Sequence, residues 1–262
     1  MPGVPFEMKR MMSETIIPRL IKVFSPPFIY HKLIRTAGIG ESFLAEKIKT
    51  WEDALPSHIK LAYLPSEGGV KLRLTSIGEN KPALEKEVNE WADKVKPLAG
   101  DYIFGFSDEP LEIVVGKTLR EKNLTLSIAE SCTGGYVSHL ITSIPGSSDY
   151  FQGSIIPYSY EIKMKELGIN PDTLKNFGAV SEQTITEMAN KVREKFNTSI
   201  GVATSGIAGP GGATNDKPVG TIWIAFADGK QTITKKLQLA KDRAVNIKLT
   251  STFVLDLIRK NI

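Results

Sequence analysis

Residues 124–135 constrain the fold more than any other stretch of the chain. A short run of β-branched and aliphatic residues over 124–129 leads through Glu130-Ser131-Cys132-Thr133-Gly134-Gly135 straight into helical periodicity over 133–144. A strand, a glycine turn and a helix with no spare chain between them form a unit that must bury its apolar side against a further layer. The same alternation recurs across 107–262. Strands are expected at 154–158, 199–204, 221–227 and 231–239, and a helix entered through Ser107-Asp108-Glu109 precedes the first of them. Further helices are expected near Glu161, from Ser181 to Phe196, and from Asp242 to about Arg259. The expected class is therefore α/β, with a sheet between helical layers.

The preceding chain divides in two. Residues 28–100 read strand, helix, strand, strand, helix, a small α+β module whose hairpin turns across 65–69. Its Gly68-Gly69 pair suits a hairpin better than a phosphate loop. Before it, 2–6 form a turn and 7–24 carry helical periodicity that Pro18 should kink, with Pro26-Pro27 as linker. Residues 1–27 are too short to bury a core alone.

Composition excludes several classes. The 33 basic and 29 acidic residues are mixed along the chain, giving a net charge of +4 and no clustered stripe for nucleic acid. No apolar run reaches membrane-spanning length, and no secretory leader pattern opens the chain. Cys132 is the single cysteine, so no internal disulfide forms. His31, His58 and His139 lack metal-ligand spacing, so no metal site is expected. A reduced, cytoplasmic protein is the expectation.

What remains is hydroxyl and amine chemistry. Ser148 lies ten residues before Tyr158, and Lys163 five after it. A serine becomes a nucleophile when a base takes its proton, and a lysine can be that base if burial holds it neutral. Each residue also has a plainer reading: Ser148 in a turn, Tyr158 half-buried on a strand, Lys163 solvated on a helix. Ser131, Thr133 and Gly134 stand where a helix N-terminus either binds an anion or is simply capped by a hydroxyl. Ser205, Gly206 and Gly209 begin a long glycine-rich loop suited to a phosphate or an oxyanion. Arg243 opens the last helix, able to clamp a phosphate or pair with a carboxylate. Cys132 at the same helix start is a second candidate nucleophile, its thiol favoured by the helix dipole.

Taken together, 129–135, 146–148, Tyr158 with Lys163, 178–181, 205–210, 217–221 and Asp242-Arg243 closely resemble the C-terminal domain of the CinA family. That resemblance implies a nicotinamide-nucleotide amidase, which hydrolyses nicotinamide mononucleotide to nicotinate mononucleotide and ammonia without a cofactor. By the same resemblance Ser148 is the nucleophile, Lys163 the general base and Tyr158 its assistant. Ser131 and Ser205 line the site, and Arg243 binds substrate. Residues 28–100 resemble the family's KH-like middle module, though without a GxxG loop to bind RNA. Residues 2–9 resemble the end of its N-terminal molybdopterin-binding-like domain, whose ADP-ribose pyrophosphatase activity is then expected to be absent. The expected partners are a small nucleotide substrate and a second copy in a homodimer, with neither nucleic acid nor membrane. A non-catalytic nucleotide-binding module is the alternative.

Overall fold

The structure, a computed structural model, describes residues 4–262. The expected turn at 2–6 therefore lies partly outside the described residues; Val4 is extended, and Pro5 and Phe6 already belong to a helix. Helix α1 (Pro5–Met11) passes through a π-helical turn (Met12–Ile16) into α2 (Ile17–Phe24). Pro18 sits in the first turn of α2, where its missing N–H costs nothing, and the widened turn before it absorbs the ring. The whole stretch buries none of its side chains.

The small module comprises β1 (Phe28–Thr36), α3 (Glu41–Asp53), β2 (Lys60–Ser66), β3 (Gly69–Gly78), α4 (Lys81–Asp93), the short α5 (Lys96–Ala99) and β4 (Ile103–Gly105). Its antiparallel sheet runs β2-β3-β1-β4, so β4 joins it beyond the expected edge at residue 100. Leu44, Ile48 and Trp51 of α3 and Val88 of α4 pack on Ile34, Leu72 and Leu74 of the sheet. The hairpin is tighter than expected: Ser66 pairs with Gly69, leaving only Glu67-Gly68 in the turn. Gly68 has φ +79°, and a Cβ there would fall 2.7 Å from Cγ2 of Thr252 in the larger domain. Both facts call for glycine.

The larger domain follows as α6 (Leu111–Glu121), β5 (Leu126–Glu130), α7 (Tyr136–Thr142), a 3₁₀ turn (Ser147–Asp149), β6 (Phe151–Ile155), α8 (Tyr160–Lys165), α9 (Pro171–Phe177), α10 (Glu182–Phe196), β7 (Ile200–Gly206), β8 (Thr221–Ala227), β9 (Thr232–Gln238) and α11 (Arg243–Asn261). The sheet order is β6-β5-β7-β8-β9, with β6, β5 and β7 parallel and β8 and β9 antiparallel additions. Strand alternation sends Val202, Ile222 and Ile224 toward α6, α7 and α11, and Ala203 and Ala225 toward α9 and α10. The small residues let α10 lie close: a Cβ on Gly201 would meet the Ala189 carbonyl at 2.2 Å. The result is the expected layered α/β/α domain beside a KH-like α+β module.

Two local expectations fail for physical reasons. Ser107-Asp108-Glu109 does not cap α6, because Pro110 takes the N-cap place without a side-chain bond. The residue before a proline is pushed out of helical geometry, and Asp108 instead meets Lys71 of β3 at 2.8 Å. The strand expected at 154–158 comes three residues earlier, as β6.

Helix α11 joins the two modules. Lys248 meets Glu67 at 2.6 Å, the Thr252 hydroxyl donates to the Glu67 carbonyl, and Arg259 donates to the Asp101 carbonyl. No helix among the described residues is long and apolar enough to cross a membrane.

Candidate active site at the ends of the parallel strands

Strands β5, β6 and β7 run parallel, so the turns after them gather at one edge of the sheet, where open α/β folds place their ligands. Ser131 follows β5, Pro157 and Tyr158 follow β6, and Gly206 ends β7. Ser131 is anchored by its amide, which donates to the Thr204 carbonyl at 3.0 Å and lies 3.3 Å from the Thr204 hydroxyl. The Thr133 hydroxyl meets that of Thr204 at 2.7 Å.

Lys163 comes from α8, whose start is fixed by Ser159 accepting from the Ile162 amide. The lysine is only 1% exposed. Its Nζ lies 3.1 Å from Ser131 Oγ, 2.7 Å from the Pro157 carbonyl and 3.4 Å from that of Tyr158. No carboxylate forms an ion pair with it among the described residues. Burial therefore draws its pKa down from 10.5 to about 8.

Tyr158 and Arg243 form the exposed rim. The Arg243 guanidinium donates to the Tyr158 hydroxyl and to the Gly209 carbonyl, each at 3.0 Å. Asp242 caps α11 by accepting from the Val245 amide, and Asn246 donates to the carbonyls of Ala208 and Ala240. These contacts pin the glycine loop to the first turn of α11. Gly209 has φ +97°, with Val219 Cγ1 only 2.7 Å from where a Cβ would stand.

Ser148 is not part of this assembly. It is exposed on the 3₁₀ turn before β6, whose first residue Phe151 pairs with Leu126 at the opposite end of β5. Roughly 13 Å of strand separates that end from Ser131. The turn is a structural one, tied down by Arg120 of α6 through the Pro145 carbonyl and Asp149. In place of the expected Ser148–Lys163 pair, the structure sets Ser131 beside Lys163. The reason is topological, since Ser148 precedes a strand while the gathered residues follow theirs.

The other expected residues divide. Ser205 faces the α10 side and donates to the Ala179 carbonyl at 2.7 Å. Gly206 lets β7 and β8 close, since its Cβ would meet Ile222 at 2.5 Å. Gly134, with φ +60°, shapes the turn between Ser131 and α7. Neither Ser131 nor Thr133 caps α7. Cys132 is buried, and that burial pushes its thiol up to about 12, so the helix start does not make it a thiolate at neutral pH.

Three contributors went unrecognised in the sequence: Thr204, Asn246 and Glu130. Glu130 accepts from the amides of Gly135, Val137 and Ser138 at 3.0, 3.1 and 2.8 Å. A carboxylate ending a strand that otherwise carries no charge was the available signal for it.

Among known protein families, residues 108–262 match the CinA C-terminal domain, and 31–105 match the damage-inducible protein CinA KH domain. A CinA-like protein of Cytophaga hutchinsonii is 48% identical over all of this chain, and one of Flavobacterium psychrophilum is 46% identical. The chain spans 63% of the length of each. Among solved structures, the competence/damage inducible protein CihA of Agrobacterium tumefaciens is 32% identical with a TM-score of 0.56, covering 58% of this chain and 94% of its own. A CinA superfamily protein of Escherichia coli is 26% identical with a TM-score of 0.57, covering 60% and 94%. With more than half its length matched to the C-terminal domain, the chain belongs to the CinA family.

Proposed function

We propose that this chain is a nicotinamide-nucleotide amidase in which Ser131 is the nucleophile and Lys163 the general base. The observation that carries the reading is a buried lysine amine 3.1 Å from a serine hydroxyl, drawn toward neutrality and lacking a carboxylate partner. As a neutral amine, Lys163 directs its two N–H bonds at the Pro157 and Tyr158 carbonyls, leaving its lone pair for the Ser131 proton.

Ser131 Oγ then attacks the carboxamide carbon as its proton passes to Nζ. The oxyanion would face the amides of Cys132 and Thr133, which meet no acceptor elsewhere among the described residues. When the C–N bond breaks, protonated Lys163 returns the proton to the departing nitrogen, which leaves as ammonia. Water, deprotonated by the regenerated amine, cleaves the acyl ester, giving nicotinate mononucleotide and free Ser131. The pyridinium charge polarises the carbonyl and favours an uncharged Lys163. The substrate phosphate would exchange for Tyr158 on Arg243, beside the glycine loop.

A Cys132 mechanism finds no support in a buried thiol whose pKa is about 12. The deciding assay is ammonia release from nicotinamide mononucleotide by the wild type and by single alanine variants at 131, 132, 148 and 163. Ser131→Ala and Lys163→Ala are expected to fall by a thousandfold or more, on the order of dyad deletions elsewhere. Cys132→Ala and Ser148→Ala are expected within about threefold of wild type. A wild type that binds the nucleotide yet releases no ammonia would mark a non-catalytic binding module instead.

A further inference from the structure

Glu130 is a fully buried carboxylate next to the nucleophile, and the chemistry above gives it no part. Its side chain leaves the end of β5, reaches past the turn and receives the first amides of α7, those of Gly135, Val137 and Ser138, together with the Ser138 hydroxyl. Those amides are the unpaired donors of a helix start, ordinarily taken by a serine or threonine at the N-cap. Here the N-cap is Gly135, with φ +97° and no side chain to offer. Two hydroxyls lie within reach in sequence, on Ser131 and Thr133. Local capping by either competes with any other use of that oxygen.

We propose that Glu130 is a positioning residue. By occupying the start of α7 it keeps the Ser131 hydroxyl free to face Lys163, and it fixes the turn that carries Ser131. The inference rests on the amidase reading of the site. It also means that α7, despite its glycine turn, is closed to the substrate phosphate: its donors are already engaged by a carboxylate. The turn is held at both ends, by the Ser131 amide on Thr204 and by Glu130 on α7. Releasing one end lets Ser131 Oγ move, and a displacement of about 1 Å at reacting atoms costs on the order of a hundredfold in rate.

The test is Glu130→Gln, which keeps the shape but replaces one acceptor oxygen with an NH₂ group facing amide donors. A folded Glu130→Gln protein is expected to lose about a hundredfold in kcat while KM moves less than about threefold. Reaction of Ser131 with a fluorophosphonate should slow in parallel. Glu130→Asp keeps the charge but falls short of Ser138, and is expected to be slowed as well. Ser138→Ala removes a single contact and should stay within about threefold. Wild-type kcat and labelling in folded Glu130→Gln overturn the proposal, as does a loss confined to KM or to melting temperature. A crystal structure of Glu130→Gln that retains the 3.1 Å Ser131–Lys163 contact overturns it too. Should the wild type release no ammonia, the amidase reading fails, while labelling and the variant structure still judge Glu130.

Discussion

Replacing Lys163 with methionine, which preserves length and apolar stem, is expected to change how stability depends on pH. In the folded protein Lys163 titrates near 8, against 10.5 in the unfolded chain. Between these values the unfolded chain binds more protons, so this group makes stability rise with pH. At pH 7 the folded state carries nearly the full cost of the shift, about 3 kcal/mol at 1.36 kcal/mol per unit. At pH 10 the two proton-binding terms nearly cancel, and under 1 kcal/mol of the cost remains. The wild type should therefore gain about 2 kcal/mol over Lys163→Met between pH 7 and pH 10. Losing the bond to the Pro157 carbonyl costs the variant something at every pH, so it drops out of this difference. Urea unfolding followed by circular dichroism, on both proteins at half-unit steps of pH, measures it. Parallel curves, or a wild type that loses stability relative to Lys163→Met as pH rises, would refute a buried and neutralised lysine.

The rate should carry the same signature. For kcat/KM we expect a rise with pH to a half-maximum near pH 8; a half-maximum near 10 would show an ordinary solvated lysine. Arg243→Ala is expected to raise KM by about 10- to 100-fold, as loss of a charged phosphate contact does, with a smaller change in kcat. A nucleotide-binding titration that leaves Arg243→Ala at wild-type affinity would remove the arginine from the substrate site.

The alternation of strand and helix was legible because β5 and β6 each end in a glycine or hydroxyl turn before a helix, as at Ser131 and Ser159. Capping chemistry was equally plain where nothing opposed it: Ser181 and Asp242 each accept the amide three residues on. Where a proline stood in the way, at Pro110, the same chemistry misled. Helix α9 escaped notice because its seven residues bury only Leu174, too little for a period to emerge. The serine beside Lys163 was misplaced for a deeper reason. Ser148 and Ser131 both lie near Lys163 along or across the chain, and only strand pairing tells which end of the sheet each occupies. Cross-strand partners such as Thr204 leave no mark on a single sequence.

Helix α11 commits its first turn to Arg243 and Asn246 and its later turns to Glu67, Asp101 and the hairpin around Gly68. Nineteen residues make a rigid rod of about 28 Å. Tilting the small module against its neighbour therefore levers the guanidinium at the far tip, because no joint interrupts the rod to absorb the motion. A substitution that loosens the hairpin should be felt as a shift of Arg243 against Tyr158 and Gly209, at a distance where no side chain of that hairpin ever arrives.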